Sequence, residues 1–433
     1  MWARLNDIYN FIDYRGATPT KITNGIPLVT AKNVKSGYID YTIDDYISEE
    51  EFKERQQRGI SKKGDILFTT EAPLGNAALA DMEKFSAGQR LITFQQYGSK
   101  NELINYVMLM FILSDFFQQQ LYVNKTGSTV AGIKAAILKT LWIPVPPYNE
   151  QLRISNTLKS AINLIDSISQ NKEILSTSIS NTKYKILDLA IRGKLVLQDP
   201  NDEPASVLLE RIRAEKEELI KHGKIKRDKK ESVIFKGEDN SYYLKIGNLT
   251  ETLDDWRIDD IPDSWGVCCL GEVCDYGNCT NVDTKDIPET AWILDLEDIE
   301  KDTGKVLQKL TLKERNSAST KHSFHKGQVL YSKLRPYLNK VVLADDEGYC
   351  TSEILPLDFN DMVYPKYARY YLMSPTFLKY ANYCSYGVKM PRLGTNDGKK
   401  AILTVPPLQE QHRIVNAIET IFAKLDEIAN ALS

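Results

Sequence analysis

The chain has 433 residues, of which 42% are hydrophobic and 26% are charged, and its formal net charge at pH 7 is −3. This length is too great for one hydrophobic core and predicts two or more domains. No apolar run is long enough to span a bilayer, and the N-terminus lacks a signal-peptide core, so we expect a cytoplasmic protein without membrane contact. The near-neutral charge gives no global sign of a nucleic-acid partner.

The first region, residues 1–147, contains short strand-like segments such as 26–29 and 65–69, separated by glycine turns. Polar side chains follow the second of these segments, at Thr69, Thr70, Glu71 and Asn76. A carboxylate in such a loop is able to accept from a cytosine amine, which favours DNA contact. A purely structural turn, fixed by proline and glycine, is the alternative.

A second polar segment lies shortly before the next predicted helix. Its candidate residues surround Gly127 and are Lys125, Thr126, Ser128 and Thr129. Glycine allows close backbone approach, and hydroxyl and ammonium groups reach phosphate oxygens. The alternative is a loop that only connects the head to the helix.

A long helix is predicted after Pro146 and Pro147, which block helix formation upstream. Eleven positions from Ile154 to Leu189 follow one another at alternating spacings of four and three residues. Nine of these eleven positions are apolar. This repeat of 3.5 residues is typical of a coiled coil about 55–60 Å long. An ordinary amphipathic helix in a globular core is the weaker alternative.

The next region, residues 191–260, is a highly charged connector. A helix is predicted from Pro204 to Ile220, and residues 211–236 carry a net charge of +5. We expect the part around 224–236 to be a mobile, solvated linker.

A second globular region, residues 261–406, begins at Ile261 and Pro262 and contains predicted strands at 292–296, 328–331 and 341–343. All six cysteines lie in this half of the chain, but their spacing is not the paired CxxC of zinc ribbons. We expect reduced, partly buried cysteines rather than a metal site, and the sequence suggests no cofactor.

The loop after the predicted strand 328–331 is strongly basic. Its candidate DNA-contacting residues are Ser332, Lys333, Arg335, Tyr337, Asn339 and Lys340. Arginine or lysine grips guanine O6 and N7, and asparagine pairs with adenine, in the major groove. Phosphate contact alone, or a structural turn, are the alternatives.

Residues 366–400 carry a net charge of +6 and seven aromatic residues. Lys389 and Arg392, just before the second predicted long helix, are the candidates for DNA contact. A basic, aromatic-rich segment indicates a phosphate-contacting face. A solvated helix with a tyrosine-rich buried side is an equally weighted alternative.

The chain contains an internal duplication. Residues 145–168 and 405–428 are identical at ten of 24 positions, at an offset of 260, and residues 64–69 match 327–332 at an offset of 263. Repeats of this size indicate two related heads, each followed by a helix. The second helix continues the apolar spacing from Ile414 to Leu432, so it is the expected partner of the first, although it ends after about 25 residues where the first continues for about 40.

Four phrases resemble the specificity subunits of type I restriction-modification systems over essentially the whole chain. They are 190–196 with 199–205, 211–216, both Pro-Pro-x-x-Glu-Gln helix starts, and 387–394. The resemblance implies an α+β fold, in which two globular mixed α/β target-recognition domains are separated by two long antiparallel coiled-coil helices in a pseudo-two-fold repeat. The expected boundaries are 1–147 and 261–406 for the recognition domains, 148–190 and 407–433 for the spacer helices, and 191–260 for the connector.

The resemblance also implies the function. Each head reads half of a bipartite, asymmetric site in double-stranded DNA, and the subunit is not catalytic. It recruits two adenine methyltransferase subunits and, for cleavage, restriction subunits that are translocase-nucleases. The rigid spacer agrees with this, because two half-sites about 34 Å apart lie within reach of two heads on such a rod.

Two other functions are alternatives. A DNA-modifying enzyme with fused recognition domains is disfavoured, because the chain has neither an adenine-methylation motif before Pro146 nor a GxxxxGK[ST] phosphate loop. A coiled-coil adaptor that binds proteins without reading DNA is the other alternative, and the basic loop around Arg335 counts against it.

Overall fold

The computed structural model describes residues 1–16, 18–97, 104–127, 131–224, 232–239, 241–253, 261–315, 317–359 and 363–432. The chain forms two compact units, Met1–Gln170 and Asn171–Ser433. The boundary between them falls within one long helix. No helix in the described part of the chain is long and apolar enough to cross a membrane.

The first unit is a mixed α/β head followed by the start of the long helix. Its strands are β1 (Trp2–Arg4), β2 (Tyr9–Asp13), β3 (Ile26–Val29), β4 (Tyr46–Ile47), β5 (Ile66–Thr69), β6 (Ala77–Leu79), β7 (Ser86–Ala87), β8 (Leu91–Gln96) and β9 (Trp142–Pro144). Its helices are α1 (Leu5–Ile8), α2 (Glu49–Arg55), α3 (Asn105–Leu113), α4 (Asp115–Val123), α5 (Ala135–Leu138) and α6 (Tyr148–Ala190), which continues into the second unit. A short 3₁₀ helix spans Gln56–Arg58.

An antiparallel sheet in the order β2-β8-β5-β6 forms the centre of this head. The rings of Phe68 and Phe94 stack at 5.3 Å between centroids, and both side chains are fully buried. Because β5 is buried along its whole length, its register is fixed, and the loop that follows it has a defined starting point.

The second unit begins with the end of α6 and contains the connector and the second head. Its helices are α7 (Ala205–Lys221), α8 (Leu270–Val273), α9 (Leu312–Arg315), α10 (Pro365–Leu372), α11 (Pro375–Tyr383), α12 (Thr395–Lys400) and α13 (Leu408–Ala431). Its strands are β10 (Ser232–Lys236), β11 (Tyr242–Ile246), β12 (Leu249–Thr252), β13 (Gly266–Cys269), β14 (Asn281–Val282), β15 (Trp292–Leu294), β16 (Leu310–Thr311), β17 (Lys321–Phe324), β18 (Val329–Ser332), β19 (Val341–Leu343), β20 (Gly348–Thr351), β21 (Ile354–Leu357) and β22 (Ile402–Val405). Short 3₁₀ helices span Thr284–Asp286, Leu296–Asp298 and Pro336–Leu338.

The heads repeat the same arrangement. In the second, β18 lies between β19 and β21, as β5 lies between β6 and β8 in the first. Strand β13 pairs with β22 just before α13, as β1 pairs with β9 just before α6. The duplication seen in the sequence is therefore present in the fold.

One expectation for the connector is wrong. Residues 232–236, predicted as part of a mobile linker, form β10, which pairs with β11 from Ser232 opposite Ile246 to Lys236 opposite Tyr242. Ile234 and Leu244 from these strands are buried in a small hydrophobic cluster with Val267 and Cys269 of β13. Residues 225–231 of the predicted linker lie outside the described residues.

The predicted helix pairing is observed in part. Within the second unit, Thr404 Oγ1 donates to Ile191 O at 3.0 Å, and Lys183 forms an ion pair with Asp426. Asp426 follows Thr404 in the chain, whereas its partner Lys183 precedes Ile191. The two helices are therefore antiparallel. The seam positions Ile179 and Ile186 are both 7% exposed there.

Two earlier positions of the same repeat, Ile165 and Ile168, lie in the first unit and are 60% and 57% exposed. Helix α13 has 24 residues and α6 has 43, in agreement with the difference in length expected from the sequence.

A glutamine fixes the start of each long helix. Gln151 Oε1 accepts from Ile104 N at 2.8 Å, and its Nε2 donates to Pro146 O at 2.9 Å. Gln411 makes the equivalent bonds to Tyr364 N at 2.8 Å and Pro406 O at 3.0 Å. The glutamine of the repeated Pro-Pro-x-x-Glu-Gln motif therefore attaches each helix to its own head.

Candidate nucleic-acid interface

Two loops that the sequence analysis selected separately meet in the second head. We name residues 332–340 the strand-end loop and residues 386–392 the pre-helix loop. Leu334 and Arg392 form an antiparallel bridge, and Arg335 N donates to Pro391 O at 2.7 Å. Leu393 N donates to Lys333 O at 3.0 Å. Backbone hydrogen bonds thus join both loops into one surface.

The pre-helix loop closes on itself. Tyr386 N donates to Arg392 O at 3.1 Å, and Arg392 N donates back to Tyr386 O at 2.9 Å. Gly387 has φ +100°, a left-handed conformation that a residue with a side chain rarely adopts. The tip of the loop points into solvent, because Val388 is fully exposed and Lys389 is exposed.

An ion pair adds a third element to this surface. The Nε of Arg392 lies 3.1 Å from both carboxylate oxygens of Glu353, and its Nη2 lies 2.8 Å from Oε1. The hydrogen bond and charge of Glu353 raise the pKa of the Arg392 guanidinium. Glu353 precedes β21, and its O accepts from Lys333 N at 3.0 Å. One acid therefore contacts both loops.

Several predicted residues of the strand-end loop face inward. Ser332 Oγ donates to Leu334 O at 3.0 Å, and Asn339 Nδ2 donates to Met373 O at 3.1 Å; each residue is 3% exposed. Lys340 Nζ donates to Leu296 O at 2.6 Å, and burial lowers the pKa of this ammonium group. These side chains hold the loop in shape and attach it to the rest of the head.

Three other residues of this loop are partly or fully exposed at the level of the whole side chain. Tyr337 is 47% exposed, and Lys333 is half-buried. Arg335 has a left-handed backbone with φ +49°, and its Nε is buried without a hydrogen-bond partner within the described chain. A strained backbone and an unsatisfied guanidinium nitrogen are features that cluster at functional sites.

The first head has the same frame. Its strand-end loop is 69–77 and its pre-helix loop is 126–132. Ile133 N donates to Thr70 O at 3.0 Å, as Leu393 N does to Lys333 O. Thr126 and Gly132 exchange bonds of 2.8 and 3.0 Å, as Tyr386 and Arg392 do.

The charges on that frame differ, and one position is reversed. Gly132 stands where the second head has Arg392, and Arg90 stands where it has Glu353. Thr70 N donates to Arg90 O at 3.1 Å, which confirms the equivalence, and Arg90 Nε lies 3.2 Å from Glu71 Oε1. Sequence reasoning missed Arg90 and Glu353, although the offset of 263 already aligns them.

The predicted residues of the first head divide in the same way. Thr69 and Thr70 are at most 1% exposed; Thr69 Oγ1 accepts from Asn76 N at 2.9 Å, and Thr70 Oγ1 donates to Arg90 O at 3.2 Å. Asn76 Nδ2 donates to Val34 O at 3.0 Å. Lys125 is exposed, with its Nζ 5.3 Å from the centre of the Tyr122 ring. Ser128 and Thr129 lie outside the described residues.

The basic, aromatic segment 366–400 is divided between the interior of the head and its surface. Tyr367 and Tyr371 of α10 are buried, and Arg369 donates to Thr303 O at 2.8 Å, so this part of the segment packs within the head. Tyr383 and Tyr386, at 81% and 62% exposure, leave an aromatic surface beside the pre-helix loop. The segment is therefore a packed helix joined to an exposed edge.

A duplicated head, with paired surface loops of differing charge and a long helix attached to it, defines a protein with two related heads. The model of the type I restriction modification DNA specificity domain matches residues 2–176 and 262–433. The chain belongs to this family.

Individual relatives agree. The type I restriction enzyme EcoDI specificity subunit of Escherichia coli is 25% identical over 85% of this chain and 74% of its own length. The EcoAI specificity subunit of Escherichia coli is 29% identical over 58% of this chain, which corresponds to 40% of that protein. The chain thus spans less than half of the second relative.

A solved structure supports the fold. A chain from a study of complex assembly and conformational transition of the type I R-M system has a TM-score of 0.56 and 17% identity. The match covers 100% of this chain and 92% of that chain. At this identity the similarity supports the two-headed fold alone.

Proposed function

We propose that this chain is the DNA sequence-specificity subunit of a type I restriction-modification system, and that each head reads one half of a split, asymmetric duplex site. The observation that carries the proposal is the meeting of both predicted loops in each head on one backbone frame. Two unlike surfaces on equivalent frames suit two unlike half-sites, so the target is not a palindrome.

In the second head, we assign base reading to Arg335, because a guanidinium grips guanine O6 and N7 in the major groove. Lys333 and Lys389 neutralise phosphates, which positions the head without specifying bases. Tyr337 supplies apolar contact. Arg392 already has a carboxylate partner, so it acts by holding the pre-helix loop beside the strand-end loop.

In the first head, Glu71 is the base-reading candidate and Lys125 the phosphate contact. Glu71 is able to accept from a cytosine amine, and Arg90 holds it in place. The buried side chains of Thr69, Thr70, Ser332 and Asn339 hydrogen-bond within their own head and hold the loops in shape. Asn76 and Lys340 have backbone partners and hold the loops in the same way.

Chemistry is assigned to other subunits. We propose that the chain is non-catalytic and binds two adenine methyltransferase subunits and, for cleavage, restriction subunits in the cytoplasm, where the target DNA lies. The faces of the long helices outside the seam are the expected docking surfaces. A protein-binding adaptor that does not read DNA is the competing function.

The test is to express the chain with the methyltransferase of its own system and map N6-methyladenine in the host DNA. A split, asymmetric motif is the expected result. The variant Arg335→Ala should degrade the motif in one half only, and Glu71→Ala in the other half only. Methylation without sequence dependence, or with unchanged motifs in both variants, would refute DNA reading by these loops.

DNA affinity gives a second test. Phosphate neutralisation supplies most nonspecific affinity, and a chain of net charge −3 contributes little of it. We expect weak, salt-sensitive binding by the isolated chain and tight binding by the assembled methyltransferase. Tight binding by the isolated chain at physiological salt would contradict this.

A further inference from the structure

A hairpin lies beside the strand-end loop of the second head. Ile299 and Val306 form an antiparallel bridge at its base, and we name residues 299–306 the head hairpin. Within it, Asp302 has a left-handed backbone with φ +64°, and its N–H donates to Leu338 O at 3.2 Å. Because Leu338 belongs to the strand-end loop, the backbone of the hairpin is attached directly to the proposed reading surface.

Two further contacts hold the head hairpin against this loop. Arg369 of α10 donates to both elements, with its Nη2 2.8 Å from Thr303 O and its Nε 3.3 Å from Val341 O. Gly304 lies so close to β19 that a Cβ there would be 2.0 Å from Val341 O. Since Val341 follows the strand-end loop directly, the hairpin and the loop are held together and are expected to move together.

The head hairpin also contacts the long helix. Tyr184 of α6 is half-buried, and its hydroxyl donates to Asp302 Oδ1 at 2.6 Å. Burial, with the hydrogen bond and charge of Asp302, raises the pKa of Tyr184 to about 12, and a hydrogen bond from the Asn339 side chain opposes this rise. The hydroxyl therefore keeps its proton at neutral pH and acts as a donor. Tyr184 thus contacts the hairpin through Asp302 and the strand-end loop through Asn339.

A groove borders the hydrogen bond of Tyr184. It has a volume of about 1080 Å³, and its lining includes Ser180 and Lys183 of α6 and Glu300 and Lys305 of the head hairpin. Polar side chains that line an open groove supply little packing between the two elements. The hydrogen bond therefore carries much of the link between the helix and the hairpin.

A series of hydrogen bonds leads from this helix to the residue assigned to base reading. The Tyr184 hydroxyl bonds to Asp302, and the Asp302 N–H bonds to Leu338 O. The Leu338 N–H then donates to Arg335 O at 2.9 Å. Arg335 has a left-handed backbone, a conformation that persists only where the surrounding structure supports it. The support for this residue thus extends back to α6.

We propose that Tyr184 is a positioning residue for DNA reading by the second head, because its hydroxyl holds Asp302, and with it the strand-end loop, in a fixed place beside α6. The inference rests on the proposed function and names a residue that acts on the same reading surface. A group that reads bases has to be held within about 0.5 Å of its productive geometry. Loss of the hydroxyl removes this restraint and leaves the buried core of the head intact.

The first head differs at this place. Its hairpin, residues 34–39, has four residues between the bridged pair, where the second head has six. Gly37 N donates to Ala77 O at 2.9 Å, so this hairpin is also attached to its strand-end loop. Its tip, residues 35–38, contains no carboxylate that would accept from a tyrosine. A change at Tyr184 should therefore affect the half-site of the second head only.

The test uses the full chain assembled with the methyltransferase of its own system. Methyl transfer is measured on a duplex with the mapped motif and on duplexes with one changed base pair in either half-site. Tyr184→Phe and Asp302→Ala should each reduce discrimination in the second half-site at least about fivefold, the effect of one lost hydrogen bond, and leave the first half-site unchanged. Asp302→Asn should retain most of the discrimination, because its amide oxygen still accepts from the hydroxyl.

The matched control is Tyr371→Phe. It removes a hydroxyl that donates to Ile402 O at 2.8 Å in the same head, within the packing of α10 against β22. Discrimination by this variant should stay within about twofold of the wild type, although its stability falls. Equal loss of discrimination in Tyr184→Phe and Tyr371→Phe would show a general effect of stability and overturn the positioning role.

Hydrogen exchange of the full chain gives a readout that does not need DNA. Tyr184→Phe should speed the exchange of amides in 299–306 and 333–340 and leave β13 and β22 unchanged. Normal discrimination by Tyr184→Phe overturns the proposal, whatever the exchange shows. If Arg335→Ala relaxes the second half-site and Tyr184→Phe does not, only the positioning role fails. If the wild type methylates without sequence preference, the proposed function fails with it.

Discussion

The glutamine that attaches each helix to its head gives the most direct prediction. Gln411 is completely buried, and its side chain bonds to Tyr364 N and Pro406 O. Gln411→Ala leaves one buried N–H and one buried C=O without a partner, at about 1–3 kcal/mol each. A water entering the space would recover part of this loss, so we expect the free energy of unfolding of the second unit to fall by about 2–4 kcal/mol.

Calorimetry of the full chain checks this, with an expected fall of about 5–12 °C in the transition of the second unit. Gln151→Ala should do the same to the first unit, because the two bonds are equivalent in length and partners. Gln170→Ala, an exposed position on α6, is the control and should change the transition by less than about 1 °C. If Gln411→Ala behaves like this control, the hydrogen bonds do not fix the helix start.

Three further predictions concern charge. Lys333→Ala should weaken binding of the assembled methyltransferase equally to all DNA sequences and reduce the slope of log affinity against log salt by about 0.9. Arg335→Ala should instead relax specificity at one base position, at a cost of about 1–3 kcal/mol. Binding titrations on a set of single-base variants of the site distinguish these results. Glu353→Gln should leave the melting temperature unchanged, because the ion pair of Glu353 with Arg392 is partly exposed. The variant should reduce discrimination between DNA bases in the half-site of the second head. A lower melting temperature with normal base discrimination would contradict the positioning role. Burial raises the pKa of Glu410 above 4.5. The contribution of this carboxyl group to stability is therefore fully present below about pH 4.5 and is lost as the pH rises through the raised pKa. Urea unfolding should show that the wild type loses stability relative to Glu410→Gln over that pH range, and a constant difference between the two proteins would refute this.

Much of the frame was predictable because backbone chemistry leaves strong signals. Pro146 and Pro147 block helix formation, and α6 begins at Tyr148, directly after them. The match between 64–69 and 327–332 predicted equivalent strands, and β5 and β18 occupy equivalent places in their sheets. Repeated sequence motifs mark helices and strands that both copies need. A duplication therefore identifies these elements without knowledge of the fold.

Side-chain direction was less predictable. Thr69, Thr70, Ser332 and Asn339 were chosen by residue type, but local hydrogen bonds turn them inward. In the second head the loop also contains left-handed backbone at Arg335 and Asn339. Non-glycine residues rarely adopt this conformation, so the sequence does not predict it. The ion pairs of Arg90 and Glu353 were not predictable from local sequence, because Arg90 lies 19 residues after Glu71 and Glu353 lies 39 residues before Arg392.

The backbone frame also suits the proposal that two heads of one ancestry read different sequences. The bonds that join the loops, Ile133 N to Thr70 O and Leu393 N to Lys333 O, are between backbone atoms and do not depend on side-chain identity. Side chains on this frame therefore change without loss of loop register, and the two heads carry different ion pairs on it: Glu71 with Arg90 in one, Glu353 with Arg392 in the other. At the position that Arg90 and Glu353 share, one head has a base and the other an acid. Two unlike sets of side chains on equivalent backbone frames are what the proposed asymmetric target requires.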